Sequence, residues 1–110
     1  MLEPNHTYAA TFLRAHDGDT YTLRVDLGLR VAVTIEVRLR GVNTPEITGE
    51  TKPAGLVAQI AAEEFLRSGS IVIVTYKDRR SFTRWIADVF VDGSSVADHL
   101  LDAGVAVPFL

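Results

Sequence analysis

Apolar and polar residues alternate across residues 30–40. Val31, Val33, Ile35, Val37 and Leu39 fall on one side, and Arg30, Thr34, Glu36, Arg38 and Arg40 on the other. A period of two over that length predicts a half-buried strand, with Arg38 and Arg40 turned away from the main apolar row unless a bulge intervenes. TYAATFLRA at 7–15 is rich in β-formers and predicts a first strand. Residues 20–25 follow the DGD turn at 17–19 as a second strand, and DLGLR at 26–30 leads into the long third one. IVIVTYK at 71–77 and TRWIADVFV at 83–91 predict a fourth and fifth strand, separated by a turn at DRRSF, 78–82.

Two segments change period. Ala54, Val57, Ala58, Ala61, Ala62 and Phe65 share one face at 100° per residue, which predicts a helix over about 54–67, with SGS at 68–70 ending it. Its small residues suit close approach to a sheet. In a second helix Val96, Leu100 and Ala103 share one side and Asp98, His99 and Asp102 lie opposite; Ser95 with Asp98 forms a capping pattern, and Gly104 sits where a C-cap belongs. Between the third strand and the first helix, GVNTPEITGETKPAG at 41–55 is longer than a minimal connection and reads as a functional loop. Three strands, a helix, two strands and a helix predict a mainly β fold: a single domain over residues 1–110, built as a five-stranded OB-fold-like barrel with two packed helices. Such a barrel offers an open face to polyanions, although a fold alone assigns no reaction.

Composition narrows the chemistry. The chain has 47% hydrophobic and 23% charged residues, as soluble folded domains do, and no cysteine. Disulfides, thiolate zinc sites and cysteine nucleophiles are therefore excluded, and His6, His16 and His99 show no HxxxH spacing. No apolar run is long enough for a membrane span, and the N-terminus lacks the form of a signal peptide, so a cytoplasmic protein is expected, with secretion open if a leader was removed. A net charge of −3 argues against tight non-specific adhesion to nucleic acid, yet five arginines between 14 and 40 and a cluster at Lys77, Arg79, Arg80 and Arg84 allow one basic face.

The chemistry concentrates in HDGDT at 16–20 and EVRLRGVNTPE at 36–46. Asp19, Glu46 and Arg38 would be costly side by side unless a cation, an anion or mutual pairing compensates, and a phosphodiester beside a divalent metal supplies both ions. Asp19 and the Asn43 side-chain oxygen can begin the oxygen shell of Ca²⁺ or Mg²⁺, with Asp17 behind them. The plainer alternative is a hairpin turn whose aspartates cap backbone N–H groups. Arg38 and Arg84 offer planar forks that match phosphate oxygens; alternatively they pair with Glu36 or Asp88 as surface arginines. Glu46, if close to a metal-bound water, can accept its proton.

Together DGDT at 17–20, VRLRGVNTPE at 37–46, PAG before the alanine-rich helix, Arg84 ahead of WIADVFVDG, and VADHLLDAGVA resemble the staphylococcal nuclease (thermonuclease) family, in family order across roughly residues 9–107. That resemblance implies an OB-like barrel carrying a calcium-dependent phosphodiesterase, which cuts DNA and RNA with little sequence preference and leaves 3′-phosphates. By position it makes Asp19 a metal aspartate, Arg38 and Arg84 the two phosphate-binding arginines and Glu46 the base or water-orienting residue. Thr44 falls where a backbone carbonyl reaches the metal, and Phe82 near a tyrosine that contacts the nucleotide; stacking by Phe82 and simple packing on the barrel are both open.

Asn43 departs from the pattern by placing an amide where a second metal aspartate is usual, which implies weaker calcium binding or a shifted metal preference, Mg²⁺ or another divalent ion included. Ser81 lacks the positive charge often found there, and the chain has no counterpart of the family's usual third helix, so closure of the core by VAVPFL or by a partner subunit, in a monomer or a homodimer, is open. The expected partner is DNA or RNA, single-stranded in preference, and no membrane. The alternative function is a catalytically weak or inactive nuclease-like module that binds nucleic acid or protein. Asn43→Asp is expected to tighten calcium binding in titration calorimetry; unchanged affinity and unchanged turnover would contradict the metal role of position 43.

Overall fold

The computed structural model describes residues 6–77 and 84–109. Its strands are β1 (Thr7–Ala15), β2 (Thr20–Gly28), β3 (Val31–Leu39), β4 (Val42–Asn43), β5 (Ile71–Lys77), β6 (Arg84–Val91), β7 (Ser94–Ser95) and β8 (Val107–Pro108). Helix α1 (Lys52–Leu66) follows a 3₁₀ turn at Gly49–Thr51, and α2 (Val96–Asp102) follows β7. The long strands run in the order β3-β2-β1-β5-β6, and parallel pairing of β3 with β6 joins the ends. The result is a closed five-stranded barrel with two helices, an OB-fold-like architecture with no unpaired sheet edge along the closed part.

Alternation along each strand decides what fills the barrel. Tyr21, Leu23 and Val25 from β2, Val37 and Leu39 from β3, Ile73 from β5, and Ala87, Val89 and Val91 from β6 are buried together. Arg38 projects from the opposite face of β3, as the period predicts, and Arg40 falls in the turn just past the strand. The apolar row of β3 is only half covered, however: Val37 and Leu39 are sealed, whereas Val31 is 52% and Val33 41% exposed. Register explains the difference, because β6 reaches β3 only from Glu36 onward, where Glu36 pairs with Arg84. Beyond that point β2 and β3 run on as a two-stranded ribbon. Its tip turns through three consecutive residues with positive φ, Gly28, Leu29 and Arg30.

The first helix is also rotated relative to the periodic reading. Its buried stripe is Gly55, Ala58, Ala62 and Leu66, while Val57 is 56% exposed. Gly55 decides this orientation, since a Cβ there would stand 2.6 Å from the Glu46 carbonyl oxygen. Backbone contact at that distance is open only to glycine. Helix α2 starts as its sequence predicts, with the Ser95 side chain accepting from Asp98 N–H at 3.2 Å. His99, expected on a solvated face, stacks on Phe65 of α1 with ring centroids 3.9 Å apart and planes 3° from parallel. Trp85 packs against the core at the barrel end, beside Tyr8, Val25 and Ile35.

The end of VAVPFL closes against the loop after β3. Val107 pairs with Asn43 and Pro108 with Val42, and Phe109 N–H donates to the Gly41 carbonyl at 2.9 Å. This small sheet seals Val42, which is 1% exposed. Burial separates the contributions of similar side chains: Leu23→Ala, in the sealed barrel, is expected to cost about 2–5 kcal/mol, whereas Leu29→Ala, at a position 97% exposed, should stay within about 0.5 kcal/mol. Urea unfolding of both variants checks the pair.

Candidate active site

Three chain segments meet at Asp19. The DGD turn delivers it just before β2, and the residue is 6% exposed, a level that requires partners for its carboxylate. Its Oδ2 accepts from the Thr44 backbone N–H at 2.9 Å, and its Oδ1 from the Thr20 hydroxyl at 3.2 Å. The Asp19 carbonyl accepts from Leu39 N–H at 2.8 Å, fixing the turn to the end of β3. Asp17 stands behind, accepting from Asp19 N–H at 3.0 Å. Below the turn the Tyr21 hydroxyl donates to the Gly18 carbonyl at 2.5 Å. Burial, reinforced by Asp19 and Asp17, holds that phenol far above its ordinary range.

Gly18 lets this turn lie on its neighbours. A Cβ there would come within 2.8 Å of both Thr44 and Ala58 of α1. Thr44 Oγ1 is buried and has no hydrogen-bond partner among the described residues. Glu46, two residues further along, is exposed; its carbonyl packs on Gly55 and accepts from Thr51 Oγ1 at 2.8 Å. The Glu46 carboxylate is met by the Thr48 hydroxyl at 3.5 Å.

Arg38 reaches inward to the same cluster. Its Nη2 lies 3.5 Å from Asp19 Oδ2 and donates to Asn43 Oδ1 at 2.5 Å, and its Nη1 donates to the Leu39 carbonyl at 2.6 Å. Phe109 lies under it, 5.6 Å from the guanidinium carbon to the ring centroid. Arg84 shares the outer face of the barrel with Arg38: β6 buries Ala87 and Val89 on the inner face, and the parallel register sets Arg84 beside Glu36 and Ile86 beside Arg38. The structure therefore puts Asp19, Arg38, Asn43 and Thr44 in contact, holds Asp17 behind them, and sets Arg84 on the adjoining strand of the same face. Phe82 falls outside the described residues.

Residues 36–109 match the family described as staphylococcal nuclease homologue. The chain belongs to that family. The matched span takes in Arg38, Asn43, Thr44, Glu46 and Arg84 of this staphylococcal nuclease homologue, and Asp17 and Asp19 precede it. No curated protein matches the chain.

For the divalent cation expected from the sequence, the donor set fits in kind while being sparse in number. Asp19 Oδ2 and Asn43 Oδ1, which meet at Arg38 Nη2, are hard oxygen donors of the sort Ca²⁺ and Mg²⁺ take. Among the described residues no group of three or more His, Cys, Asp or Glu side chains gathers to hold a metal, so water would have to complete any shell.

Arg40 takes the structural pairing that the sequence left open for its neighbours. Its Nε meets Asp88 Oδ1 at 3.1 Å and its guanidinium carbon lies 4.6 Å from the Tyr76 ring centroid, while Tyr76 donates to Asp88 Oδ2 at 3.1 Å. This triangle ties the turn after β3 to β5 and β6. The sequence reading missed Phe109 as a neighbour of Arg38. Nothing in the local pattern of VAVPFL signals that contact, which depends on β8 returning to β4.

Burial, helped by the Asp19 side chain and only partly offset by the Asp19 N–H, raises the Asp17 carboxyl above its ordinary 3.8. The folded state therefore holds the Asp17 proton more tightly than the unfolded chain. The stability this contributes is fully present below about 3.8 and is lost as pH rises through the raised value. Asp17→Asn is accordingly expected to unfold at higher denaturant than the parent at about pH 7 and at an equal concentration at about pH 3; no gain at the higher pH would contradict it.

Proposed function

We propose that this chain is a divalent-metal-dependent nuclease that hydrolyses phosphodiester bonds in DNA and RNA, preferring single strands and leaving 3′-phosphates, with calcium as its principal metal. One observation carries the reading: a desolvated aspartate, an amide oxygen and an arginine meet at one point on the barrel face that also carries Arg84. The Thr44 N–H, the Thr20 hydroxyl and a neighbouring arginine meet the Asp19 carboxylate in a place where a purely structural residue would more economically be apolar.

In this reading Asp19, Asn43 and Thr44 would hold the cation, which would supply Lewis-acid stabilisation of a phosphate oxygen. Arg38 and Arg84 grip the remaining phosphate oxygens and stabilise the charge that grows on them during attack. Glu46 takes a proton from the water whose oxygen forms the new bond to phosphorus. The bond from phosphorus to the 5′ oxygen breaks, and that oxygen receives the proton. Placement and electrostatics supply most of the rate. The cytoplasm as the site of action belongs to the same proposal.

A second reading has its own support. Asn43 leaves a single carboxylate in contact with Arg38, as a nuclease-like binding module that has lost useful catalysis would have. Digestion of single-stranded DNA separates the two. The parent is expected to cleave with calcium and to stop with chelator, while Glu46→Ala and Arg84→Ala each lower the rate more than about tenfold without a loss of thermal midpoint. Binding of the same DNA with no cleavage in any divalent metal would favour the binding module.

A further inference from the structure

Arg38 is directed at the wrong partners for a residue that must grip phosphate. Nη1 and Nη2, the two ends of its fork, donate to the Leu39 carbonyl and to Asn43 Oδ1, and Nη2 also faces Asp19 Oδ2 at 3.5 Å. The side chain is 18% exposed and the Asp19 side chain 9%, so this pairing is made largely out of solvent, where charges interact strongly. Nη2 thus stands at the point where Asp19 and Asn43 could jointly hold a cation. A guanidinium and a divalent ion brought onto those two oxygens would repel each other at short range, because both are positive.

We propose that Arg38 is a tethered counter-ion that competes with the metal, so that calcium and Arg38 exchange for the oxygens of Asp19 and Asn43. This rests on the metal-dependent reading above and deepens it. With Arg38 inward, one carboxylate and one guanidinium neutralise each other, and the neutral Asn43 adds no charge that would hold a divalent ion against the arginine. When calcium takes the two oxygens, Arg38 loses its partners and turns to solvent, where a phosphate group satisfies the released fork. Metal and phosphate then bind with positive coupling, and by linkage each raises the affinity of the other by the same factor. Phe109, beside the guanidinium, and the Leu39 carbonyl support the inward position, the first by ring contact and the second by a hydrogen bond.

Calcium alone tests this, by titration calorimetry on the full chain without nucleotide. Arg38→Gln and Arg38→Met are expected to bind calcium at least about fivefold more tightly than the parent, the low end of ordinary coupling between sites. Arg40→Gln serves as the control for charge removal, because Arg40 lies two residues from Arg38, just past β3, but is engaged with Asp88; its calcium affinity should stay within about twofold, well below that coupling. With adenosine 5′-monophosphate added, the parent should gain more calcium affinity than the Arg38 variants do. Unchanged or weaker calcium binding in folded Arg38 variants overturns the exchange, and so does an equal gain in Arg40→Gln. Should both Arg38 variants fail to fold, the nitrogen resonances of the Arg38 guanidinium in the labelled parent decide: calcium must change them, and no change at saturation overturns the exchange. If no calcium binds to any of these proteins the exchange also fails; cleavage of DNA by the parent in another metal would then leave the nuclease reading standing, and no cleavage would remove both.

Discussion

A single desolvated carboxylate ties this site together. Asp19 receives N–H from Thr44 and O–H from Thr20, faces Arg38, and through its own carbonyl holds Leu39. Those contacts join the turn before β2, the end of β3 and the loop that leads to α1. An ionised group at 6% exposure is tolerable only with such partners, so the need to satisfy its charge fixes the relative positions of all three segments. The functional residues are neighbours because they answer that one demand.

Barrel closure sets the stage on which this happens. Parallel pairing of Glu36–Leu39 with Arg84–Ala87 brings two arginines that are distant in sequence onto adjacent strands of one face. It also leaves the earlier part of β3 outside the barrel, which accounts for an alternating strand whose apolar side is covered only at one end. Behind the face, Gly18 and Gly55 let the DGD turn and the Glu46 backbone approach other segments more closely than any side chain would permit. Arg40, Tyr76 and Asp88 brace the neighbouring strands, so the arginine nearest to Arg38 in the pattern does quite different work.

Charge economy explains why Arg38 and Asn43 belong together. An aspartate at position 43 would leave two carboxylates facing one guanidinium. The amide instead accepts a hydrogen bond from Arg38 and leaves a balanced pair with Asp19. The same balance makes the oxygens available to a stronger cation only at the expense of the arginine's own contacts, which connects the structural ion pair to the proposed catalytic chemistry.

The five strands, both helices and the outward face of Arg38 were legible in the sequence, because a period of two or of 3.6 is a local consequence of backbone geometry. So were Asp19, Asn43, Thr44 and Arg84 as residues worth following, since their types and order carry the family pattern. Local pattern was silent where the answer depended on a distant segment. It could not show that β6 meets β3 only from Glu36, leaving Val31 and Val33 exposed, or that Gly55 would turn the buried stripe of α1 away from Val57. The pairing of Arg38 with Asp19 and Asn43, and the arrival of Phe109 beside it, were likewise settled only in three dimensions. Periodicity acts between near neighbours along the chain, whereas charge pairing and close backbone approach act between residues that only the folded barrel brings together.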